Sequence, residues 1–448
     1  MKRAAPRQRH AAPPAAGVAV RVAATRVLGE VAFDGVSLRA ALPPAQAKFA
    51  DPRDRALLAA SVFAATRWWL RLTAALDLLM DKPLPQRARS VRALLVLGCA
   101  QIGVLGQPDY AVVGACVDAT RSLGQAPFAG LVNAVLRRYA RERGVLEAQL
   151  DADAVTRSAH PHWLIEAITR DWPQQAEAIL AANNLEAPLT LRVNRRRAQR
   201  DELLAQLAAA GIEANAPAQL PDAIVLAESR DVSQLPGFAQ GAFSVQDGAA
   251  QCVADLLDAR DGLRVLDACA APGGKAAHLL ERARVDLVAL DHDARRLARV
   301  GENLARLGLA AKLVHGDASA PAAWWDGRAF ERILVDAPCS ASGIIRRQPD
   351  IKLHRRAGDI AALAATQRGI LDALWPLLAP GGHLLYATCS ILREENEQVL
   401  AAFLAGHDDA RAVPLPVRLG QVAGVGRQRL PGEGGMDGFF YGLLEKTG

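Results

Sequence analysis

Two cysteines follow short hydrophobic runs that are typical of buried strands. Cys339 lies in DAPCSASG at 336–343 and Cys389 in YATCSIL at 386–392, in a chain with six cysteines. The carboxyl ends of parallel strands meet at one edge of a sheet, where the ligand sites of α/β proteins form. A cysteine thiolate is a good nucleophile that can form a covalent intermediate. The pattern therefore predicts covalent catalysis by one or both thiols.

A turn of glycines and small residues separates a hydrophobic run from a predicted helix in LRVLDACAAPGGKAAHLLE. Small residues let the backbone approach a ligand closely, and the N-terminus of the helix favours negative charge. The turn lacks the GxGxxG of dinucleotide-binding proteins and the GxxxxGK[ST] of P-loop proteins, which argues against a nicotinamide-dependent oxidoreductase. We expect a cofactor loop comprising Cys269, Ala270, Ala271, Pro272, Gly273, Gly274 and Lys275.

Acidic residues stand at the ends of the next predicted strands. VALDHD contains Asp291, with Asp293 as second choice, HGDAS contains Asp317, and DAPC begins with Asp336. A carboxylate at the tip of the second strand is placed to accept the hydroxyls of a ribose, and Asp317 is placed to accept from an adenine amino group. A helix N-cap explains any one aspartate as well, but their recurrence predicts a binding site. Several carboxylates suit a sulfonium cation better than a pyrophosphate, so we expect S-adenosylmethionine as the cofactor.

Different residue patterns divide the chain and predict a multidomain protein. Residues 1–16 are a basic tail rich in alanine and proline, and residues 17–145 repeat apolar positions at helical spacing, which predicts an all-α domain. Residues 146–235 mix strand and helix patterns, which predicts a small α/β subdomain. From 236 to 448 strands and helices alternate, which predicts βαβ units with a parallel sheet and helices on both faces.

Positive charge is concentrated in the first third of the chain. Residues 1–150 contain 21 Lys and Arg against 10 Asp and Glu, although the whole chain carries only +6. Such an excess is typical of a module that binds a polyanion, and a solvated arginine-rich surface explains it equally well. The cysteines form no CxxC pair and no zinc spacing with histidine, so we expect no metal, no disulfide framework and a cytoplasmic location. The sequence contains no run of about 18 apolar residues, so we expect no membrane span.

The strand-end motifs together are similar to those of a known family. DACAAPGGK, DAPCSASGIIRRQPDIK and YATCSILREENEQ resemble motifs of the RNA cytosine-5 methyltransferases, and within them the branch acting on 16S ribosomal RNA. RVNRRR at 192–197, FSVQD at 243–247 and DGFFYGLLEK at 437–446 fit the same pattern, so the resemblance covers nearly all of residues 17–448. It implies a NusB-like RNA-binding domain, a small lead-in subdomain and a Rossmann-like methyltransferase domain.

The resemblance also implies roles for the residues at the strand ends. Carbon 5 of cytosine becomes nucleophilic when a thiolate adds to carbon 6, which divides one difficult step into easier ones. DNA cytosine methyltransferases use a Pro-Cys cysteine like Cys339, whereas the RNA family uses the Thr-Cys cysteine. By resemblance Cys389 is the nucleophile and Cys339 assists product release. Asp336 would hydrogen-bond the cytosine ring near N3, and Lys275 would polarise the base or orient Asp336.

The expected partner is 16S ribosomal RNA, with no DNA or membrane partner and a monomeric chain. The target base must be flipped or presented in a loop, because carbon 5 is inaccessible within a stacked helix. Two alternatives remain open: methylation of another RNA, either tRNA or 23S ribosomal RNA, and a non-catalytic RNA-binding assembly factor. The arginines that we expect to contact phosphates are Arg192, Arg195, Arg196, Arg197, Arg346 and Arg347.

Overall fold

The computed structural model describes residues 17–448, so the predicted basic tail lies outside the described residues. The chain forms two compact units. The first contains the described residues through Ile165 together with Gln348–His354, and the second contains Glu166–Arg347 and Arg355–Gly448. Among the described helices, none has the length and apolar character needed to cross a membrane.

Within residues 17–448, helices occupy the first part of the chain and strands alternate with helices afterwards. The α-helices are α1 Val18–Asp34, α2 Leu38–Gln46, α3 Pro52–Arg67, α4 Trp69–Leu79, α5 Arg89–Gly103, α6 Asp109–Ser122, α7 Ala129–Leu150, α8 Ala154–Ser158, α9 His162–Asp171, α10 Ala176–Asn183, α11 Arg200–Ala209, α12 Gly248–Leu257, α13 Gly274–Arg282, α14 Ala294–Leu307, α15 Ile351–His354, α16 Ala357–Leu374 and α17 Glu397–Leu404. The strands are β1 Leu189–Val193, β2 Ala214–Asn215, β3 Ala223–Leu226, β4 Phe243–Val245, β5 Arg264–Ala268, β6 Asp286–Asp291, β7 Lys312–His315, β8 Phe330–Asp336, β9 Leu378–Thr388, β10 Ala410–Val413, β11 Gln421–Ala423, β12 Gly426–Arg429 and β13 Phe439–Lys446.

The first unit is a helical bundle built around α5. The residues of α5 from Ala93 to Ile102 are buried, since α1, α3, α4, α6 and α7 pack around this helix. A buried polar chain crosses the bundle: Arg21 Nε donates to Gln101 Oε1 at 2.8 Å, and Gln101 Nε2 donates to Ser61 Oγ at 2.8 Å. The predicted all-α architecture of this part is confirmed.

The QPDIK portion of the second cysteine motif belongs to this helical unit. Lys352, on α15, is buried, and its ammonium donates to the carbonyl of Arg67 at 2.7 Å. The Leu38 amide donates to Asp350 Oδ2 at 3.2 Å. Burial holds the pKa of Lys352 well below its ordinary value. These contacts make QPDIK a part of the bundle's interior.

The small α/β subdomain lies at the start of the second unit. Its sheet has the order β2-β3-β1-β4 with antiparallel pairs. The apolar face of β1 and the helix α11 share a core that includes Leu191, Leu203 and Phe243. The sheet includes β4, so it extends beyond residue 235, and α7 runs past residue 145. The boundary expected at residue 145 therefore falls within α7, and the boundary expected at residue 235 falls within the segment that forms the small sheet.

The large sheet carries the predicted site. Its order is β11-β12-β13-β9-β8-β5-β6-β7, with β10 paired to β13. The strands β7, β6, β5, β8 and β9 are parallel, which agrees with the predicted βαβ units. The remaining strands pair antiparallel, and a short hairpin connection joins β11 to β12. The parallel part brings the carboxyl ends of five strands to one edge.

Candidate active site

The cofactor loop leaves β5 and enters α13 at this edge. Cys269 has φ 64° and Gly273 has φ 95°, a region that favours glycine. A Cβ atom at Gly273 would lie 3.0 Å from Val300 Cγ1, so a larger residue would press against α14. The Ala270 amide donates to the Leu290 carbonyl at 2.8 Å. The loop is therefore a close turn held against the end of β6.

Asp291, at the end of β6, holds this loop through hydrogen bonds to backbone amides. Its carboxylate is fully buried, and Oδ2 accepts from the Ala271 amide while Oδ1 accepts from the Asp293 amide, each at 3.0 Å. Asp293, the second choice for ribose binding, caps α14 by accepting from the amides of Arg295 and Arg296. The N-cap explanation therefore accounts for Asp293, whereas Asp291 is built into the base of the cofactor loop.

Asp317 follows β7 and is exposed. Its Oδ1 accepts from the amide and the hydroxyl of Ser319, both at 2.8 Å. These hydrogen bonds hold the pKa of Asp317 below its ordinary value. The residue therefore presents a charged carboxylate in a defined turn, at the same edge of the sheet as the cofactor loop.

Asp267, on β5, is a site residue that the sequence analysis missed. It is fully buried, and within the described residues its two carboxylate oxygens make no regular hydrogen bond. Burial raises its pKa to about 8, and the neighbouring charge of Asp336 adds to the rise, while Lys275 opposes it. A buried carboxyl without a partner is costly unless a ligand engages it. An aspartate within the apolar run LRVLDAC was the available signal.

Lys275 and Asp336 form an ion pair beside the cysteines. Lys275 Nζ lies 2.5 Å from Asp336 Oδ2 and 5.3 Å from the centre of the Phe439 ring. Burial lowers the pKa of Lys275, but the attraction of Asp336 outweighs it and leaves the pKa above its ordinary value. The negative form of Cys389 acts in the same direction. The site therefore contains a fixed cation that interacts with the Cys389 sulfur.

The two strand-end cysteines are brought together. Cys339 Sγ lies 3.5 Å from Cys389 Sγ, and both are free thiols. Cys389 is partly exposed and Cys339 is buried. The loops that carry them are also joined through the backbone, since the Gly343 amide donates to the Cys389 carbonyl at 2.8 Å. The other cysteines of the described chain, apart from Cys269 in the cofactor loop, are buried in helices.

Six arginines were predicted to contact RNA. Two of them are buried, which contradicts that prediction, and a third is largely covered. Arg192 is fully buried and forms a two-point ion pair with Glu281, so it has no surface to offer a phosphate. Arg346 is also buried, and Arg347 is largely covered and paired with Asp247 and Asp437.

The remaining three arginines are accessible. Arg195, Arg196 and Arg197 form an exposed turn after β1. Arg195 also pairs with Asp222, and Arg196 donates to the Ala283 carbonyl at 2.9 Å. These three guanidinium groups remain the candidates for phosphate contacts.

Comparison with known proteins extends over all three parts of the chain. A family model described as 16S rRNA methyltransferase RsmB/F matches residues 254–445, a model of an RsmF/B-like ferredoxin-like domain matches 160–233, and a NusB family model matches 19–141. The ribosomal RNA small subunit methyltransferase B of Xanthomonas campestris is 50% identical over 97% of this chain and 98% of that protein. The protein of the same name from Pseudomonas putida is 50% identical over 95% and 98%.

Solved structures share the fold. The crystal structure of PH0851 covers 98% of this chain and 100% of that chain with a TM-score of 0.80 and 24% identity. A methyltransferase homologue from Pyrococcus horikoshii covers 65% and 97% with a TM-score of 0.58 and 28% identity. A NusB domain, a ferredoxin-like subdomain and a Rossmann-like catalytic domain with this strand-end site define a ribosomal RNA methyltransferase. The chain belongs to the 16S rRNA methyltransferase RsmB/F family.

Proposed function

We propose that the protein methylates carbon 5 of a cytosine in 16S ribosomal RNA, with S-adenosylmethionine as cofactor and Cys389 bound covalently to carbon 6. The observation that carries this proposal is the pair of free sulfurs 3.5 Å apart beside the ion pair of Lys275 and Asp336. A single thiol would suffice for a simple adduct, but two adjacent thiols suit a reaction in which an adduct forms and must then be released.

The residues at the strand edge fit S-adenosylmethionine. The close turn at Gly273 allows backbone approach, and among the described residues the buried carboxyl of Asp267 is contacted only weakly, by the Ala276 amide. We assign the cofactor loop 269–275, with Asp291, Asp317 and Asp336, to cofactor binding. S-adenosylmethionine supplies an electrophilic methyl group on a sulfonium. Acidic groups around a sulfonium and an ammonium lower the electrostatic cost of binding these cations.

The environments of the two thiols support different roles. Cys389 is partly exposed and interacts electrostatically with Lys275, so its sulfur is accessible to a substrate and lies near a cation. The hydrogen bond with Cys389 and burial raise the pKa of Cys339 well above its ordinary value. Cys339 is therefore a thiol that can donate a hydrogen bond to the neighbouring sulfur.

The proposed steps give each thiol a different role. The Cys389 thiolate would add to carbon 6 while Asp336 holds the base, which makes carbon 5 nucleophilic. The methyl group would pass to carbon 5 from bound S-adenosylmethionine, which would be left as S-adenosylhomocysteine. Loss of the carbon-5 proton to water then re-forms the double bond and expels Cys389 as a thiolate. A hydrogen bond from Cys339 stabilises the negative charge that develops on the leaving sulfur.

The assignment of RNA contacts rests on charge and exposure. Arg195, Arg196 and Arg197 present three guanidinium groups on one turn of the second unit, and such groups bind phosphates without reading sequence. The basic helical unit is the second proposed contact, as its family model implies RNA binding. The flipped base would enter beside Cys389.

Methylation assays with cysteine variants test the proposal. We would incubate unmodified 16S ribosomal RNA with labelled S-adenosylmethionine and either the unaltered protein, Cys389→Ala or Cys339→Ala. Label in 5-methylcytosine and protein–RNA adducts on denaturing gels would be followed. We expect Cys389→Ala to abolish both, and Cys339→Ala to accumulate adduct.

The matched control is Cys252→Ala, which removes a buried thiol on α12 outside the site. It should methylate at the rate of the unaltered protein. Adduct with Cys389→Ala but not with Cys339→Ala would reverse the two roles. Label in tRNA or 23S ribosomal RNA instead of 16S would assign another substrate, and no label in any RNA would favour the non-catalytic assembly factor.

A further inference from the structure

A buried carboxylate lies beneath the two cysteine loops. Glu395 is fully buried, in the turn that follows β9. Its Oε1 accepts from the Ser340 amide at 2.7 Å and from Gln367 Nε2 at 3.2 Å. Its Oε2 accepts from the hydroxyls of Ser340 at 2.5 Å and Ser390 at 2.6 Å. Four donors therefore converge on one side chain.

The positions of these donors connect Glu395 to the sulfurs. Ser340 directly follows Cys339, and Ser390 directly follows Cys389. One carboxylate thus holds the residues next to both thiols, although the two loops come from different strands. Removing Glu395 would leave the serine hydroxyls without their shared acceptor, and the separation of the sulfurs would be less restricted.

All four hydrogen bonds are donated to the carboxylate oxygens of Glu395. Hydrogen bonds to a carboxylate are roughly twice as strong as those between neutral groups, so Glu395 holds both loops firmly. The pKa of Cys339 is raised first by its hydrogen bond with Cys389, then by burial and the Cys389 charge, and further by the charge of Glu395. The backbone amide of Ala341 hydrogen-bonds Cys339 and opposes this rise in its pKa. Among the described residues, Tyr386 is also coupled to Cys339 electrostatically, and Arg355 donates to its carbonyl at 3.1 Å.

We propose that Glu395 is a positioning residue that clasps the two cysteine loops and keeps negative charge beneath Cys339, so that Cys339 stays a thiol while Cys389 acts as the thiolate. The roles named for the thiols rest on the proposed function. The clasp itself and its effect on Cys339 are properties of the folded protein and need neither RNA nor methyl transfer.

Titration of the thiols tests the electrostatic part in the full-length protein. Cysteine labelled with ¹³C at Cβ reports each thiol by NMR, with signals assigned from single cysteine variants. In a Cys389→Ala background, which removes the neighbouring sulfur, Glu395→Gln should lower the titration midpoint of Cys339 by about half a pH unit or more. Glu394→Gln is the matched control, because the adjacent side chain makes none of the contacts to Ser340 or Ser390 described above. Identical Cys339 curves with and without Glu395→Gln would overturn the proposal.

Ser390→Ala separates the clasp from the charge. This variant removes one tether and keeps the carboxylate, so the Cys339 titration should stay unchanged while kcat falls and KM for S-adenosylmethionine is retained. Unchanged kcat in both Ser390→Ala and Glu395→Gln would overturn the clasp. Thermal unfolding of each variant establishes that it is folded; if Glu395→Gln is not, Glu395→Asp takes its place and should lower kcat without lowering the Cys339 midpoint. If no RNA is methylated by any protein, the proposed function fails, whereas the titration still decides whether Glu395 controls Cys339.

Discussion

Replacing Arg192 by methionine would distinguish a structural role for this arginine from a role in RNA binding. The side chains of Arg192 and Glu281 are 0% and 1% exposed. The guanidinium donates to both carboxylate oxygens, at 3.0 and 2.8 Å, and also to Gln246 Oε1 and the Gly274 carbonyl. Methionine keeps a long apolar stem, so the main loss is the counter-ion of Glu281 and the hold on the first residue of α13.

The loss of unfolding free energy can be worked out from the protonation of Glu281. Burial already raises the pKa of this carboxyl in spite of Arg192, so without Arg192 it should be protonated in the folded protein at neutral pH. Holding a glutamate of ordinary pKa about 4.3 neutral at pH 7 costs about 1.36 kcal/mol per pH unit, or about 3.7 kcal/mol. Breaking a buried ion pair costs about 3–5 kcal/mol in other proteins, which agrees.

The loss of stability in Arg192→Met depends on pH through Glu281. The folded pKa of Glu281 in the variant lies above its unfolded value, so the folded state binds a proton that the unfolded state releases, and stability falls as pH rises. The loss of unfolding free energy relative to the unaltered protein should therefore shrink to about 1 kcal/mol at pH 5.

Urea unfolding between pH 5 and 8 measures this loss. Because multidomain chains do not unfold in one step, hydrogen exchange in peptides covering β1 and α13 would report the affected region. Arg196→Met, which changes an exposed arginine of the same segment, should leave stability nearly unchanged. Adding Glu281→Met to Arg192→Met should restore most of the loss. Full stability of Arg192→Met together with weakened RNA binding would refute the reasoning.

Three further outcomes are expected at the active site. Asp336→Asn breaks the ion pair with Lys275 and should lower the single-turnover methylation rate by about 100-fold or more, with thermal stability as the check on folding; an unaltered rate would contradict the assigned role. Asp267 has a pKa raised to about 8, so its folded state binds a proton that the unfolded state releases as pH rises from about 4 to about 8. Asp267→Asn should therefore gain thermal stability over the original protein as pH rises through that window. Calorimetry should also show weaker binding of S-adenosylhomocysteine. If the difference in stability between the two proteins is the same at both ends of the window, the pKa of Asp267 is not raised. Diamide should join Cys339 to Cys389 in a disulfide that blocks activity until dithiothreitol is added, since the sulfurs are 3.5 Å apart; peptide mapping that shows both thiols unmodified after inactivation would contradict this.

The sequence allowed the strand ends to be located but not the exposure of each charge. The hydrophobic runs, the glycine-rich turn and the recurring aspartates predicted the edge where the cofactor loop, Asp317 and Asp336 lie. Arg192 was assigned to RNA because it begins the basic segment RVNRRR. The residue that neutralises it, Glu281, lies on α13 and far away in the chain, so local charge could not reveal a buried pair.

Asp267 and Glu395 were overlooked for a related reason. Both lie within strand-end motifs, DACAAPGGK and YATCSILREENEQ. Their importance depends on what surrounds them: Asp267 on missing partners and Glu395 on four donors from three separate segments. Residue type and spacing give neither quantity, because burial and hydrogen bonding are set by tertiary packing.

The proximity of the two thiols depends on the order of the strands. In the parallel pair of β8 and β9, Asp336 lies opposite Ala387. Cys339 and Cys389 follow these partners within three residues, so their loops leave the same edge side by side. The chain passes from β7 at one end of the sheet to β8 on the other side of β5, and such a reversal opens the crevice in which α/β proteins bind ligands. The loop 269–275 follows β5 and Asp336 ends β8, so this loop and the two thiols lie on the two sides of one crevice, a placement that follows from strand order and not from the spacing of the motifs.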